Sequence, residues 1–189
     1  MPASVELRRG ADNQIVVATI ESLSAKHIDD FATRWRPLLE QTLQEDKSWD
    51  WDFKQRLSEG RENYEGYAIE CEGETQGLMA LETQWHRSQF FPGCPLVYVA
   101  RLSAAPWNRR SIQSPPRFKP VGRTLLGYSR VRSLELGYSG CVGLHSLPEA
   151  EGFYERLNMM RLDIDPEEAL DDDEPLVYFE YPPRPPANR

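Results

Sequence analysis

Between Arg117 and Tyr154 the chain reads RFKPVGRTLLGYSRVRSLELGYSGCVGLHSLPEAEGFY. A basic turn carrying a glycine enters an amphipathic helix, and a Leu-Gly-Tyr stop ends it. A short apolar strand follows, then a second helix bearing a Phe-Tyr pair. This alternation constrains the fold more than any other stretch, because it requires a sheet on which the helices can bury their apolar stripes. The pattern predicts a helix over Gly122–Leu136, with Gly137 as its left-handed stop. Cys141–His145 is a predicted strand. Pro148–Leu157 is a predicted helix closed by Asn158, which also tolerates the left-handed cap.

The rest of the chain supplies the sheet. Residues 1–13 carry charges, Gly10 and Asn13 without visible periodicity, and read as a flexible N-terminal arm. Ile15–Ile20 is a β-branched strand candidate. After Ser24, the residues Ile28, Phe31, Trp35, Leu38, Leu39 and Leu43 recur at helical steps, with Pro37 expected to break or kink the helix near Arg36. A further helical piece follows Trp51 and ends near Gly60. Tyr64–Cys71 and Gly77–Thr83 read as a hairpin turned at Glu72–Gln76. Leu96–Leu102 (LVYVARL) has the composition of a central strand. Val177–Tyr181 is a last strand. Asp165–Glu174 reads as a solvated acidic loop, and the proline-rich tail at 182–189 as extended and flexible. The predicted fold is α/β, with residues 14–181 forming one domain.

A length of 189 residues suits such a domain. No apolar run approaches the ~20 residues of a membrane span, and the N-terminus lacks the plan of a secretory leader. Three cysteines, Cys71, Cys94 and Cys141, are odd in number and share no metal-ligand spacing. They point to a reducing cytoplasm, to no metal site, and to small buried hydrophobes rather than nucleophiles. A net charge of −8 disfavours nonspecific nucleic-acid binding and is compatible with a cationic amine as partner.

One region reverses that charge. From Arg101 to Arg123 there are Arg101, Arg109, Arg110, Arg117, Lys119 and Arg123, and no Asp or Glu. A helix starting at Gly122-Arg123-Thr124 presents free N–H groups and the positive end of its dipole at the same place. Neighbouring cations add charge-assisted hydrogen bonds. The alternative is a surface loop that is simply basic.

These motifs together resemble the acetyl-CoA-binding half of the GNAT superfamily of N-acetyltransferases. That family places Arg or Gln, two residues, Gly, one residue, then Gly or Ala at the turn. Here the slots hold Arg117, Phe118, Lys119, Pro120, Val121 and Gly122, so the first glycine is replaced by a proline that has no N–H. Ala150 and Tyr154 match the family's later helix, with Asn158 and Met159 standing where Gly and Phe are usual. The resemblance implies a mixed, mostly antiparallel central sheet with helices on both faces. It implies acetyl-CoA as co-substrate, held at Arg117, Lys119, Val121, Gly122, Arg123 and Thr124, with main-chain groups of Leu102, Ser103 and Ala104 along the pantetheine arm. It implies Tyr154 as general acid toward the departing thiolate.

An amine acceptor must lose a proton, and the family has no universal base. Glu82, His86 and His145 are the candidates, with Glu82 and His145 ranked together and a structural role open for each. Trp35, Trp49, Trp51, Trp85 and Trp107, with Asp50 and Asp52, could line an acceptor pocket or belong to the core. The implied reaction is direct transfer to an amine of a small molecule or peptide, without membrane or nucleic acid, and compatible with a homodimer. Two readings stand beside it: a degenerate module of the same fold that binds an acyl-CoA or a protein without turnover, and a protein-modifying enzyme recruiting basic substrates through the 165–174 loop.

Overall fold

In the computed structural model, residues 2–162 and 176–184 are described. They form a mixed α/β structure whose nine strands make a mostly antiparallel sheet. The chain divides into two compact units, residues 1–81 with 101–128, and residues 82–100 with 129–189. The acidic segment 165–174 and residues 185–189 of the tail fall outside the described residues. Pro182–Arg184 has no regular structure.

In the first unit the strands run in the order β6-β1-β2-β3-β4. They are β1 (Ala3–Arg9), β2 (Ile15–Ser22), β3 (Tyr64–Cys71), β4 (Glu74–Glu82) and the two-residue β6 (Phe118–Lys119). The N-terminal stretch expected to be a loose arm is therefore an internal strand. It pairs antiparallel with β2 from Ala3↔Ile20 to Arg8↔Ile15, and with β6 through Arg8↔Lys119 and Arg9↔Phe118. The reason lies in a short alternation: Ala3, Val5 and Leu7 share one face, and Leu7 is fully buried. The hairpin turn is tighter than expected. Only Glu72 and Gly73 separate β3 from β4, and both have positive φ, as a two-residue hairpin turn of matching twist requires.

The helical run after Ser24 consists of α1 (Ala25–Asp30), a wide π turn (Phe31–Trp35) and α2 (Arg36–Leu39). The π turn closes with the Arg36 N–H donating to the Phe31 carbonyl, one position before Pro37, whose missing N–H a regular ladder would have needed. Helix α3 (Trp51–Gly60) is capped by Asp50, whose Oδ1 accepts from the Phe53 N–H at 2.8 Å. Phe31, Trp35, Leu39 and Trp51 are buried together with Leu23, Ala68, Leu78, Ala80 and Ala105 as one core. Leu43, expected on the periodic face, is exposed.

The second unit contains the first half of β5 (Val97–Ala104), then β7 (Val142–Ser146), β9 (Val177–Tyr181) and β8 (Met160–Leu162), in the order β5-β7-β9-β8. Strand β5 begins parallel to β7, pairing Val97 with Val142 and Tyr98 with Gly143. The antiparallel β7–β9 ladder runs from Val142↔Tyr181 to Ser146↔Val177. Helix α4 (Val121–Glu135) crosses the division between units, and α5 (Glu151–Arg156) lies in the second. The Gly137 and Asn158 stops have positive φ, as expected.

Candidate functional site

The basic turn is built against β4 in the first unit. Gly77 leaves room for the start of α4: a Cβ there would lie 2.7 Å from Val121 Cγ1 and 2.8 Å from Leu125 Cδ1. Val121 is buried, while Gly122, Arg123 and Thr124 reach solvent. The helix is capped backward, with both the Thr124 N–H and its hydroxyl donating to the Pro120 carbonyl at 3.0 and 2.9 Å. Proline thus supplies the acceptor that closes the first turn.

The six cations of the stretch have different employments. Arg117 is bound by carboxylates at the hairpin, one guanidinium nitrogen on Glu74 and the other 3.3 Å from Glu72. Arg109 grips Asp46 in two parallel bonds of 2.7 and 2.6 Å, and Ser103 donates its hydroxyl to the same carboxylate at 2.7 Å. Arg109 Nε also donates to the Ala104 carbonyl at 2.8 Å, so Ser103 and Ala104 at the end of β5 are fixed by this network. Burial alone would raise the Asp46 carboxyl, yet the Arg109 guanidinium and the Ser103 hydroxyl hold it below the usual carboxylate range. Arg101 lies over the Trp49 ring at 5.0 Å. Lys119, Arg123 and Arg110 have no acidic partner among the described residues.

Of the tryptophans, Trp35 and Trp51 belong to the core, and Trp107 donates its Nε1–H to Gln76 at 2.8 Å. Trp85 is exposed. Trp49, Trp51 and Phe53 line a cavity of about 280 Å³ with Asp50, Lys54 and Arg101. A separate carboxylate–imidazole cluster joins Glu21, His27 and Glu70. There the Ser24 N–H donates to His27 Nδ1 at 2.9 Å, which leaves the ring proton of the neutral imidazole on Nε2, facing Glu70 at 3.1 Å. Lys26 is already seated on Glu70, so the carboxylate charge is met by a side chain.

The acid–base groups lie in the second unit. Glu82 Oε2 is 2.8 Å from His86 Nε2. The His86 ring stacks on Tyr98 with centroids 4.4 Å apart, and the Tyr98 hydroxyl is 2.9 Å from His145 Nδ1. Tyr178 borders His145 at 5.2 Å. Burial and, secondarily, the His86 charge lower the His145 pKa, keeping its imidazole neutral below the ordinary range. Tyr154 on α5 is buried between Phe153 and Phe179, at ring distances of 5.0 and 5.5 Å. Burial drives its phenol pKa upward. Its hydroxyl has no hydrogen-bond partner among the described residues.

The structure therefore connects Glu82 to His86 and connects Tyr98 to both histidines. Tyr98 and Tyr178 were missed as site residues because each sits in a strand whose apolar composition reads as sheet interior. The period-two alternation that puts Tyr98 on the opposite face from buried Val97 and Val99 was the available signal. Glu180 was missed for the same reason. It is fully buried on β9 and accepts from the Ser88 hydroxyl, the Gln89 N–H at 3.0 Å and the Tyr178 hydroxyl at 2.8 Å.

No protein-family model matches the chain, and no curated protein matches it in sequence. Its fold does match solved structures. One is the PaiA N-acetyltransferase of Thermoplasma acidophilum in complex with coenzyme A, at a TM-score of 0.57 and 13% identity, over 86% of this chain and 97% of that one. A second is an aminoglycoside 6'-acetyltransferase of type Ii, at 0.57 and 17%, over 88% and 99%. A third is the ribosomal-protein-S18-alanine N-acetyltransferase of Escherichia coli, at 0.50 and 17%, over 86% and 90%. The order of elements, the mixed sheet and these likenesses identify the fold of the chain as that of the GNAT acetyltransferases.

Proposed function

We propose that the protein is an acetyl-CoA-dependent N-acetyltransferase that passes the acetyl group directly to an amine of a small molecule or peptide. The observation that carries this reading is a buried Tyr154 phenol, raised in pKa and unpartnered among the described residues, within the GNAT fold. The Tyr154 hydroxyl makes no hydrogen bond among the described residues and would be the group offered to the thioester sulfur. The fit at the anion end is supported by the start of α4. The main-chain N–H groups of Val121, Gly122 and Arg123 open the helix, Lys119 and Arg123 add charge, and Thr124 closes the first turn on Pro120, so it would serve the site by fixing that turn.

Acetyl-CoA would supply an activated thioester. Leu102, Ser103 and Ala104 would hold the pantetheine arm through main-chain groups, on a strand end fixed by Arg109 and Asp46. Arg117 would contribute field rather than a direct contact, since its guanidinium is engaged by Glu72 and Glu74. His145, neutral at physiological pH, would accept the proton released by the amine at Nε2, with Nδ1 turned to Tyr98. Tyr154 would donate to the sulfur of the departing thiolate. Glu82 would orient His86 rather than meet the substrate, because its carboxylate is already bonded to that ring. The 14–181 stretch would act as one catalytic domain in the cytoplasm, with a homodimer compatible with the fold.

The test is a calorimetric titration with acetyl-CoA, paired with thiol-release assays over a panel of amines. Wild-type binding that weakens about tenfold, or ~1.4 kcal/mol, in Lys119→Ala/Arg123→Ala supports the site. Thiol release with one amine class, abolished in Tyr154→Phe, supports the chemistry. Absence of binding overturns the reading. A second reading, a non-catalytic acyl-CoA-binding module, is favoured by the loss of one backbone donor at Pro120 and by the diversion of Arg117. Binding without thiol release from any amine would select it.

A further inference from the structure

Cys94 and Cys141 are 47 residues apart in sequence, yet their sulfurs lie 2.9 Å apart. Both are free thiols, Cys141 buried and Cys94 partly exposed. Two unbonded sulfurs do not ordinarily approach so closely, and the separation exceeds a disulfide bond of ~2.05 Å by less than about 1 Å. Each partner is also fixed by its main chain. Cys94 lies in a small loop closed by the Arg87↔Pro95 bridge, with its N–H donating to Phe91 and its carbonyl accepting from the Ser88 N–H at 2.9 Å. Cys141 immediately precedes β7, and its carbonyl accepts from the Val97 N–H at 3.2 Å and the Ser133 hydroxyl at 2.7 Å.

We propose that Cys94 and Cys141 form a dithiol modification site, which a low-molecular-weight disulfide of the glutathione class oxidises to an intramolecular disulfide. The more exposed Cys94, as thiolate, attacks one sulfur of the small disulfide. A mixed disulfide forms on Cys94 and one small thiol leaves. The Cys141 sulfur then attacks the Cys94 sulfur, the Cys94–Cys141 bond forms, and the second small thiol departs. The protein loses two electrons and two protons, and the small disulfide carries both away as two thiols. Burial and the neighbouring Cys94 raise the Cys141 pKa to about 12, which assigns the first attack to Cys94. Conversion of Cys94 to the mixed disulfide removes its ionisable thiol from beside Cys141. The product ties the loop that carries His86 and Ser88 to the start of β7, which carries His145. This proposal is independent of acetyl transfer.

The full-length protein is incubated with oxidised glutathione, alkylated under denaturing conditions and mapped by mass spectrometry. Wild type is expected to fall from three free thiols to one, with Cys71 the survivor, a cross-linked Cys94–Cys141 peptide, and a higher thermal midpoint than the reduced form. Cys141→Ser is expected to stop at a glutathione adduct on Cys94, and Cys94→Ser to keep both remaining thiols. Three surviving thiols in wild type would overturn the proposal. So would Cys71 reacting as readily as the pair, or Cys94–Cys141 cross-links appearing only between chains. The half-exposed Cys94→Ser variant keeps the test decisive should Cys141→Ser fail to fold.

Discussion

Two buried carboxylates, one in each unit, are accommodated in different ways. Asp46 meets a guanidinium in two bonds and a hydroxyl in a third. Glu180 is fully buried, and its donors are the Ser88 and Tyr178 hydroxyls and the Gln89 N–H, with no cation paired to it among the described residues. Taking a carboxylate out of water costs several kcal/mol unless charge or hydrogen bonds replace the lost hydration. At Asp46 the replacement is concentrated in one partner. At Glu180 it is distributed over three neutral donors. The comparison teaches that removing one group should have very different consequences at the two places.

The largest effect is expected from Arg109→Ala, which strands Asp46 and should cost about 3–5 kcal/mol in urea unfolding. The double change Asp46→Leu/Arg109→Met should recover most of that loss, since an apolar pair avoids the desolvation altogether. Failure to recover would mean that Arg109 acts mainly through Ala104 and Gln44. Ser88→Ala or Tyr178→Phe removes only one of three donors from Glu180 and should cost about 1–3 kcal/mol each. Equal losses at the two carboxylates would break the comparison.

A pH series sharpens it. The folded Asp46 pKa is lowered, so its contribution is present above the unfolded value of ~3.9 and is lost as pH falls through the folded value. In Arg109→Ala, burial without the guanidinium should raise that pKa instead. The stability deficit of the variant against wild type should then shrink on acidification below about pH 4. The smallest effect is at His145, whose pKa is lowered first by burial and then by His86. His86→Gln should move the His145 titration upward in a proton NMR series but not restore it to the ordinary value, because only the lesser cause is removed.

Much of the fold was legible in the chain. The strong strand around Val97–Val99, the α4 helix, and the Gly137 and Asn158 stops follow from composition and backbone chemistry that act locally. The N-terminal strand was not, because Ala3, Val5 and Leu7 give only three beats of a period-two pattern among charged neighbours. The short β6 and β8 owe their existence to partners distant in sequence, Arg8–Arg9 and Arg161's neighbour strand β9. At the candidate site, the basic stretch was visible but its division of labour was not. Nothing in the local sequence says that Arg109 will face Asp46 or that Arg117 will face Glu72 and Glu74, since those acids lie 43 or more residues away from the arginines they meet.

The wide turn at Phe31–Trp35 has a consequence for helical phase. His27, Phe31, Trp35 and Leu39 are all buried and stand at a strict four-residue repeat. In a helix of 3.6 residues per turn each such step overshoots a full revolution by about 40°, so three steps would carry Leu39 roughly a third of the way around the axis from His27. An underwound turn takes up that surplus and returns Leu39 to the side that His27 and Phe31 already occupy. The tetrad spacing is thus a written instruction for underwinding, and deleting a single residue such as Ala32 would leave steps of four, three and four, which a regular α-helix keeps on one side, so the shortened segment should lose the wide turn and keep its buried stripe.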